Sequence, residues 1–173
     1  MSRGWHLGPI VNGRNQSSGE LMLDPVSFKL TRASEVHALL RRRAKPLVGR
    51  MVVRYRCEGG FRPVQGDVAR LSLYFQVQGG ADWWLDADNR WYSDAFGPLT
   101  PGEHKLEVPL ISEQWHNVQG QKNQDRFNSA RRQVATVGLA YGDPGAGATM
   151  HGVRGDGKFT LLRFIATLEG GKS

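Results

Sequence analysis

An all-β antiparallel sandwich or barrel is the fold this sequence predicts. Three observations carry it: repeated period-two alternation of apolar residues, Gly- and Pro-rich punctuation between the alternating runs, and few helical signals. The chain has 173 residues, 39% of them hydrophobic. That length favours one domain with a sizeable core. A single sandwich is therefore expected over residues 1–173, with residues 1–24 an extension packing against it.

The elements follow in chain order. The segment SEVHALLRRRAK (34–45) is ambiguous. Ser34 suits a helix N-cap, and its cations suit a helix C-terminus, but Val36, Ala38 and Leu40 alternate, which favours a strand. In MVVRYRCE, Met51, Val53, Tyr55 and Cys57 share one face. In ARLSLYFQVQ, Leu71, Leu73, Phe75 and Val77 face the core. Arg70, Ser72, Tyr74, Gln76 and Gln78 face the other way. HKLEVPL alternates Leu106, Val108 and Leu110. DRFNSARRQV reads as a short capped helix with Phe127, Ala130 and Val134 inward. VATVGLAY places Val137, Leu139 and Tyr141 in step. In KFTLLRFIATL the phase shifts after Phe159 and Leu161 to Leu162, Phe164, Ala166 and Leu168, which predicts a β-bulge or a crossing between sheets. RGDGK puts Asp156-Gly157 where a type I′ hairpin turn would fit. The Gly-rich connection 142–158 is long enough to contribute to binding. The expected core is Leu71, Leu73, Phe75, Val77, Leu106, Val108, Leu110, Val137, Leu139, Phe159, Leu161 and Phe164.

Taken in order, GRMVVRYRCEG, ARLSLYFQVQGGADW, LTPGEHKLEVPL, Trp115 in SEQWHNVQGQ, VATVGLAYG and HGVRGDGKFTLLRF resemble the galactose-binding-domain-like jelly roll. That fold occurs in carbohydrate-binding modules and in the complex I intermediate-associated protein family. The resemblance implies two packed antiparallel sheets with at most one or two short helices. It also implies ligands held by loops at one end or on the concave face, and no catalytic residues.

Composition removes several function classes. No apolar run approaches the ~20 residues that span a bilayer, so no membrane role is expected. The start lacks the apolar region of an export signal, so a cytoplasmic protein is expected, or a secreted one if a leader has been removed. The formal charge is +7, but the cations are scattered apart from Arg41, Arg42, Arg43 and Lys45. No nucleic-acid-binding motif is present, so nucleic acid is not an expected partner. The single cysteine, Cys57, reads as a buried core thiol. The five histidines (His6, His37, His104, His116, His151) lack metal-ligand spacing. No GxSxG elbow or phosphate loop occurs, and no carboxylate pair suggests hydrolysis. Not an enzyme is therefore the expectation. The acidic set Asp82, Asp86, Asp88, Asn89 and Asp94 could coordinate a structural Ca²⁺, but lacks the Gly and distant Glu of an EF-hand loop and reads better as solvated. No other cofactor is expected, and the RGD tripeptide at 154–156 reads as a turn.

The candidate site is the stretch GGADWWLDADNRWYSD (79–94), which gathers three of the five tryptophans. Flat rings offer faces for sugar C–H groups, and nearby planar polar groups bond hydroxyls. The expected ligand surface is Trp83, Trp84, Trp91 and Tyr92 with Trp115 and His116, and with polar contacts from Asp88 and Arg90. Trp83 and Trp84 are adjacent and point oppositely in an extended segment, so one of them is expected in the core. The two loops meet if a strand at 89–93 brings the chain back so that both loops share one rim. The function expected is a non-catalytic module for a carbohydrate or similar polar ligand. The alternative is an intracellular assembly or scaffold protein acting through protein contacts.

Overall fold

The alternating runs form strands throughout a computed structural model that describes residues 4–8, 17–42, 46–77 and 86–166. In chain order the strands are β1 (Trp5–Gly8), β2 (Glu20–Leu23), β3 (Val26–Lys29), β4 (Ala38–Arg42), β5 (Arg50–Glu58), β6 (Phe61–Pro63), β7 (Arg70–Val77), β8 (Arg90–Pro98), β9 (Gly102–Pro109), β10 (Trp115–Asn117), β11 (Val134–Gly142), β12 (Val153–Gly155) and β13 (Lys158–Ala166). They build a six-stranded sheet, β1-β4-β11-β7-β8-β10, and a five-stranded sheet, β2-β3-β13-β5-β9, with β6 and β12 as a short separate ribbon. Neighbours in both sheets pair antiparallel. The architecture is the all-β sandwich expected. Residues 5–8 and 20–23, within the N-terminal stretch, run along sheet edges against β4 and β3.

The two sheets bury their facing side chains in one core. At one end Phe28, Tyr55, Tyr141 and Phe159 pack together, with Phe28 and Phe159 stacked at 5.4 Å. At the other, Phe75 contacts Trp91, Trp115 and Phe127. Of the side chains expected in the core, Val77 and Phe164 are only half-buried, and the others are buried. Val77 ends its strand. Phe164 lies beyond the bulge, edge-on to Trp5 at 5.2 Å, with the Arg41 guanidinium 5.2 Å from each ring. Cys57 is buried as read, and burial pushes its thiol up to about 12.

The ambiguous segment is strand β4, and its register explains the ambiguity. Leu39 enters the core while Ala38 and Leu40 are buried on the sheet's other face, so both faces are apolar. The helix is α1 (Gln124–Arg132), capped by Asn123, whose Oδ1 accepts from the Arg126 amide at 3.0 Å. Phe127 and Ala130 point inward, whereas Val134 begins β11 instead of ending the helix. The phase shift in the last strand is a bulge, with the β13–β5 register slipping between Leu161 and Arg163.

Two expectations are corrected. First, Asp156-Gly157 is not a hairpin turn. Its flanking strands pair with different partners, β12 with β6 and β13 with β3 and β5, so the segment crosses between sheets. The special residue is Gly155, at φ +134°, where a Cβ would lie 2.4 Å from the Gly60 carbonyl oxygen. The Asp156 carboxylate accepts from the Gly60 amide at 2.9 Å and pins this corner. Second, the face of β7 read as polar is largely covered. Ser72 and Tyr74 are buried: Ser72 is bonded to the Ser93 carbonyl, and the chain after β11 folds back so that Met150 joins Tyr74, Tyr92, Ala38, Leu40 and Ala140 in one apolar cluster. The fold-back is held by Gly152, whose amide donates to Tyr141 O at 2.7 Å while its carbonyl accepts from Val64 N at 3.0 Å.

Candidate binding cleft

Strand β8 decides where side chains can meet a ligand. Its pairing with β7 slips between Ser72↔Phe96 and Tyr74↔Tyr92, which leaves a bulge in β8 around residues 93–95. Two buried serines stitch this bulge. Ser93 Oγ accepts from the Leu73 amide at 2.9 Å and donates to Ala95 O at 2.7 Å, and Ser72 Oγ donates to Ser93 O at 3.0 Å. Strand β10 pairs with the outer edge of β8 and sets His116 opposite Tyr92.

The result is a cleft of about 430 Å³ on the face of the six-stranded sheet turned away from the core. That volume falls within the ~300–1,000 Å³ of small-ligand sites. The floor carries Ser72, Tyr92 and Ser93; Phe96 stands at the rim, 45% exposed; the backbone of residues 144–148 and Met150 forms a wall. Asp94, His116 and Lys122 supply the polar groups. His116 Nδ1 lies 2.6 Å from Asp94 Oδ1, and its Nε2 lies 2.8 Å from the Ala148 carbonyl. The ring thus ties the floor to the wall, and donates to both oxygens when protonated. Lys122 pairs with the other Asp94 oxygen. The Tyr92 ring stacks on His116 at 5.9 Å and 24°, and its buried hydroxyl has no hydrogen-bond partner among the described residues. Burial pushes that phenol up.

The wall is anchored by Asp143. Its Oδ2 accepts from the Asp67 and Val68 amides at 2.6 and 3.1 Å, and its Oδ1 from the Gly145 amide at 2.8 Å. These three bonds hold the carboxyl below its ordinary value.

The expected site residues divide by face. Tyr92 and His116 lie in the cleft. Trp91 and Trp115, one residue along each strand, point into the core and are fully buried, which corrects their reading as ligand platforms. Period-two alternation requires this split: a strand cannot offer neighbouring rings to one ligand. Their indole nitrogens are bonded within the fold, Trp91 Nε1 donating to Asp88 O at 2.7 Å and Trp115 Nε1 to Pro109 O at 2.9 Å. The two segments meet because β10 pairs directly with β8, rather than because two loops share a rim. Asp88 and Arg90 are tied into the fold. Asp88 accepts from Asn117 Nδ2 at 2.9 Å and pairs with Arg126 at 3.2 Å, and the buried Arg90 donates to Gln76 Oε1 at 3.1 Å. Trp83, Trp84 and Asp82 lie outside the described residues. Of the proposed calcium ligands, Asp86 caps a turn by accepting from the Asp88 amide, and Asp94 is held by His116 and Lys122. Sequence reasoning missed Phe96 and Lys122. The signal for Phe96 was the two-residue spacing of the series Tyr92, Asp94, Phe96; nothing local marks Lys122.

No family model matches the chain, and no curated protein matches it. Solved structures that resemble it include a mutant Xylanase10C from Cellvibrio japonicus in complex with xylopentaose. The two are 16% identical with a TM-score of 0.51, over 97% of this chain and 27% of the xylanase chain. A xylan-binding module, CBM15, superposes with a TM-score of 0.48 at 16% identity, over 94% of each chain. The likeness to the xylanase structure concerns the fold, an antiparallel two-sheet β-sandwich.

Proposed function

We propose that the protein is a non-catalytic binding module and that its outer-face cleft takes a segment of a polysaccharide. The observation that carries this reading is the pairing of a half-exposed aromatic, Phe96, with the polar set Asp94, His116 and Lys122 around one cleft. A sugar ring needs a flat apolar face for its C–H groups and charged or planar groups for its hydroxyls, and these residues supply both. Asp94 is the one carboxylate among the described residues lining the cleft, whereas glycoside hydrolysis ordinarily uses two flanking carboxyl groups. Binding without chemistry is therefore the reading favoured. The fold likeness to part of a xylanase solved with xylopentaose makes xylan the first ligand to try.

Affinity electrophoresis through gels containing xylan, mixed-linkage glucan, galactan or mannan tests the proposal. The wild type is expected to be retarded by at least one polymer. Phe96→Ala is expected to lose about 2 kcal/mol, roughly 30-fold in affinity, as a stacked aromatic hot spot does. Lack of retardation by every polymer, or full retention by Phe96→Ala, refutes it.

A further inference from the structure

A second cleft, of about 390 Å³, opens beside the ribbon formed by β6 and β12. Arg32, Arg62 and Arg154 line it with Phe61 and Asp156. The ribbon has three residue pairs, and its central pair is Arg62 directly opposite Arg154. Like charges facing each other across strands destabilise a sheet, and three pairs leave little else to offset them. Nearby acids compensate only partly. Glu35 lies 2.5 Å from the Arg154 guanidinium, and Asp156 spends Oδ1 on the Gly60 amide. Neither the Arg32 nor the Arg62 guanidinium has a hydrogen-bonded or ionic partner among the described residues. Phe61 forms a fixed apolar side. Its ring meets Phe28 edge-on at 6.4 Å and occupies the space a Cβ on Gly157 would need.

Guanidinium groups present forked donors that match the oxygens of carboxylate, sulfate and phosphate. A shared oxyanion between Arg62 and Arg154, reached also by Arg32, converts the unfavourable central pair of the ribbon into a binding arrangement. We infer that this cleft binds an oxyanion, either as a free ion or as an acidic substituent of a larger polymer. The inference does not depend on the saccharide reading of the outer-face cleft.

Amide chemical-shift titrations at constant ionic strength test it, with inorganic pyrophosphate as the free oxyanion and dextran sulfate against uncharged dextran as the polymer. The expected result is saturable shifts at residues 60–62 and 154–156. Arg62→Gln and Arg154→Gln should each weaken binding at least about tenfold, as loss of a charge-assisted donor does. Arg54→Gln, on the five-stranded sheet, should change it less than about twofold, as a surface charge outside the site does. Saturation by pyrophosphate identifies a free ion as sufficient; saturation by dextran sulfate alone identifies a polymer-borne group. Melting gives a second readout. Without anion, Arg62→Gln should melt no lower than wild type, because it removes a like-charge pair, and the anion should raise the wild-type melting temperature but not the variant's. No saturable shift with either probe, or equal weakening by Arg54→Gln, overturns the proposal.

Discussion

Replacing Asp143 with alanine is expected to release one wall of the outer-face cleft at a measurable cost. The carboxylate accepts three backbone N–H donors, two from the β6–β7 connection and one from its own turn. Bonds to a charged acceptor contribute about 1.5–3 kcal/mol each when buried. Asp67, Val68 and Gly145 are exposed residues whose amides can be resolvated once the acceptor is gone, so each bond contributes only about 0.7–1 kcal/mol, within the ordinary range of ~0.5–1.5. A total of about 2–3 kcal/mol follows for three such bonds. The sign with pH is fixed by the direction of the shift. The folded carboxyl titrates below its ordinary value of 3.8, so its stabilisation is complete above that value and is lost as pH falls through the folded one. Urea unfolding of wild type and Asp143→Ala should therefore differ by about 2–3 kcal/mol at pH 7, with the gap narrowing below pH ~3.8. A gap under ~0.5 kcal/mol at pH 7, the size of an unremarkable surface change, or one that does not shrink on acidification, shows that Asp143 is not the clamp.

Trp115→Ala should cost about 3–5 kcal/mol in chemical unfolding, as a buried indole does, and a loss under ~1 kcal/mol would place the ring outside the core. Phe75→Ala, at the centre of the same aromatic group, should fall in the same range of about 3–5 kcal/mol by the same measurement. Cys57 should resist a thiol reagent such as Ellman's in the folded protein and react on unfolding, since burial removes both access and thiolate; rapid labelling of the native state contradicts its placement.

The sandwich was legible because its core is written in single-face alternation. Met51 to Cys57 and Leu71 to Phe75 point where period two sends them. The outer face of the six-stranded sheet was not. Tyr74 looks solvent-facing in its own strand, and it is buried in a cluster with Met150 from the chain beyond β11. The candidate site was misjudged for a related reason. Trp91 and Trp115 drew attention as large aromatics, but alternation assigns them to the core and leaves their neighbours Tyr92 and His116 lining the outer-face cleft. The turn at Asp156-Gly157 misled because the same residues serve hairpins and sheet crossings alike, and only the pairing of β12 and β13 separates the two.

Whether the outer-face cleft holds a saccharide is tested most directly by mapping amide shifts on addition of xylopentaose and, in parallel, oligomers of the other electrophoresis polymers. The expected result is saturable change at residues 92–96, 116–122 and 144–150 with at least one oligomer, and little change along β5 and β9. Shifts confined to other surfaces, or none with any oligomer, contradict the account.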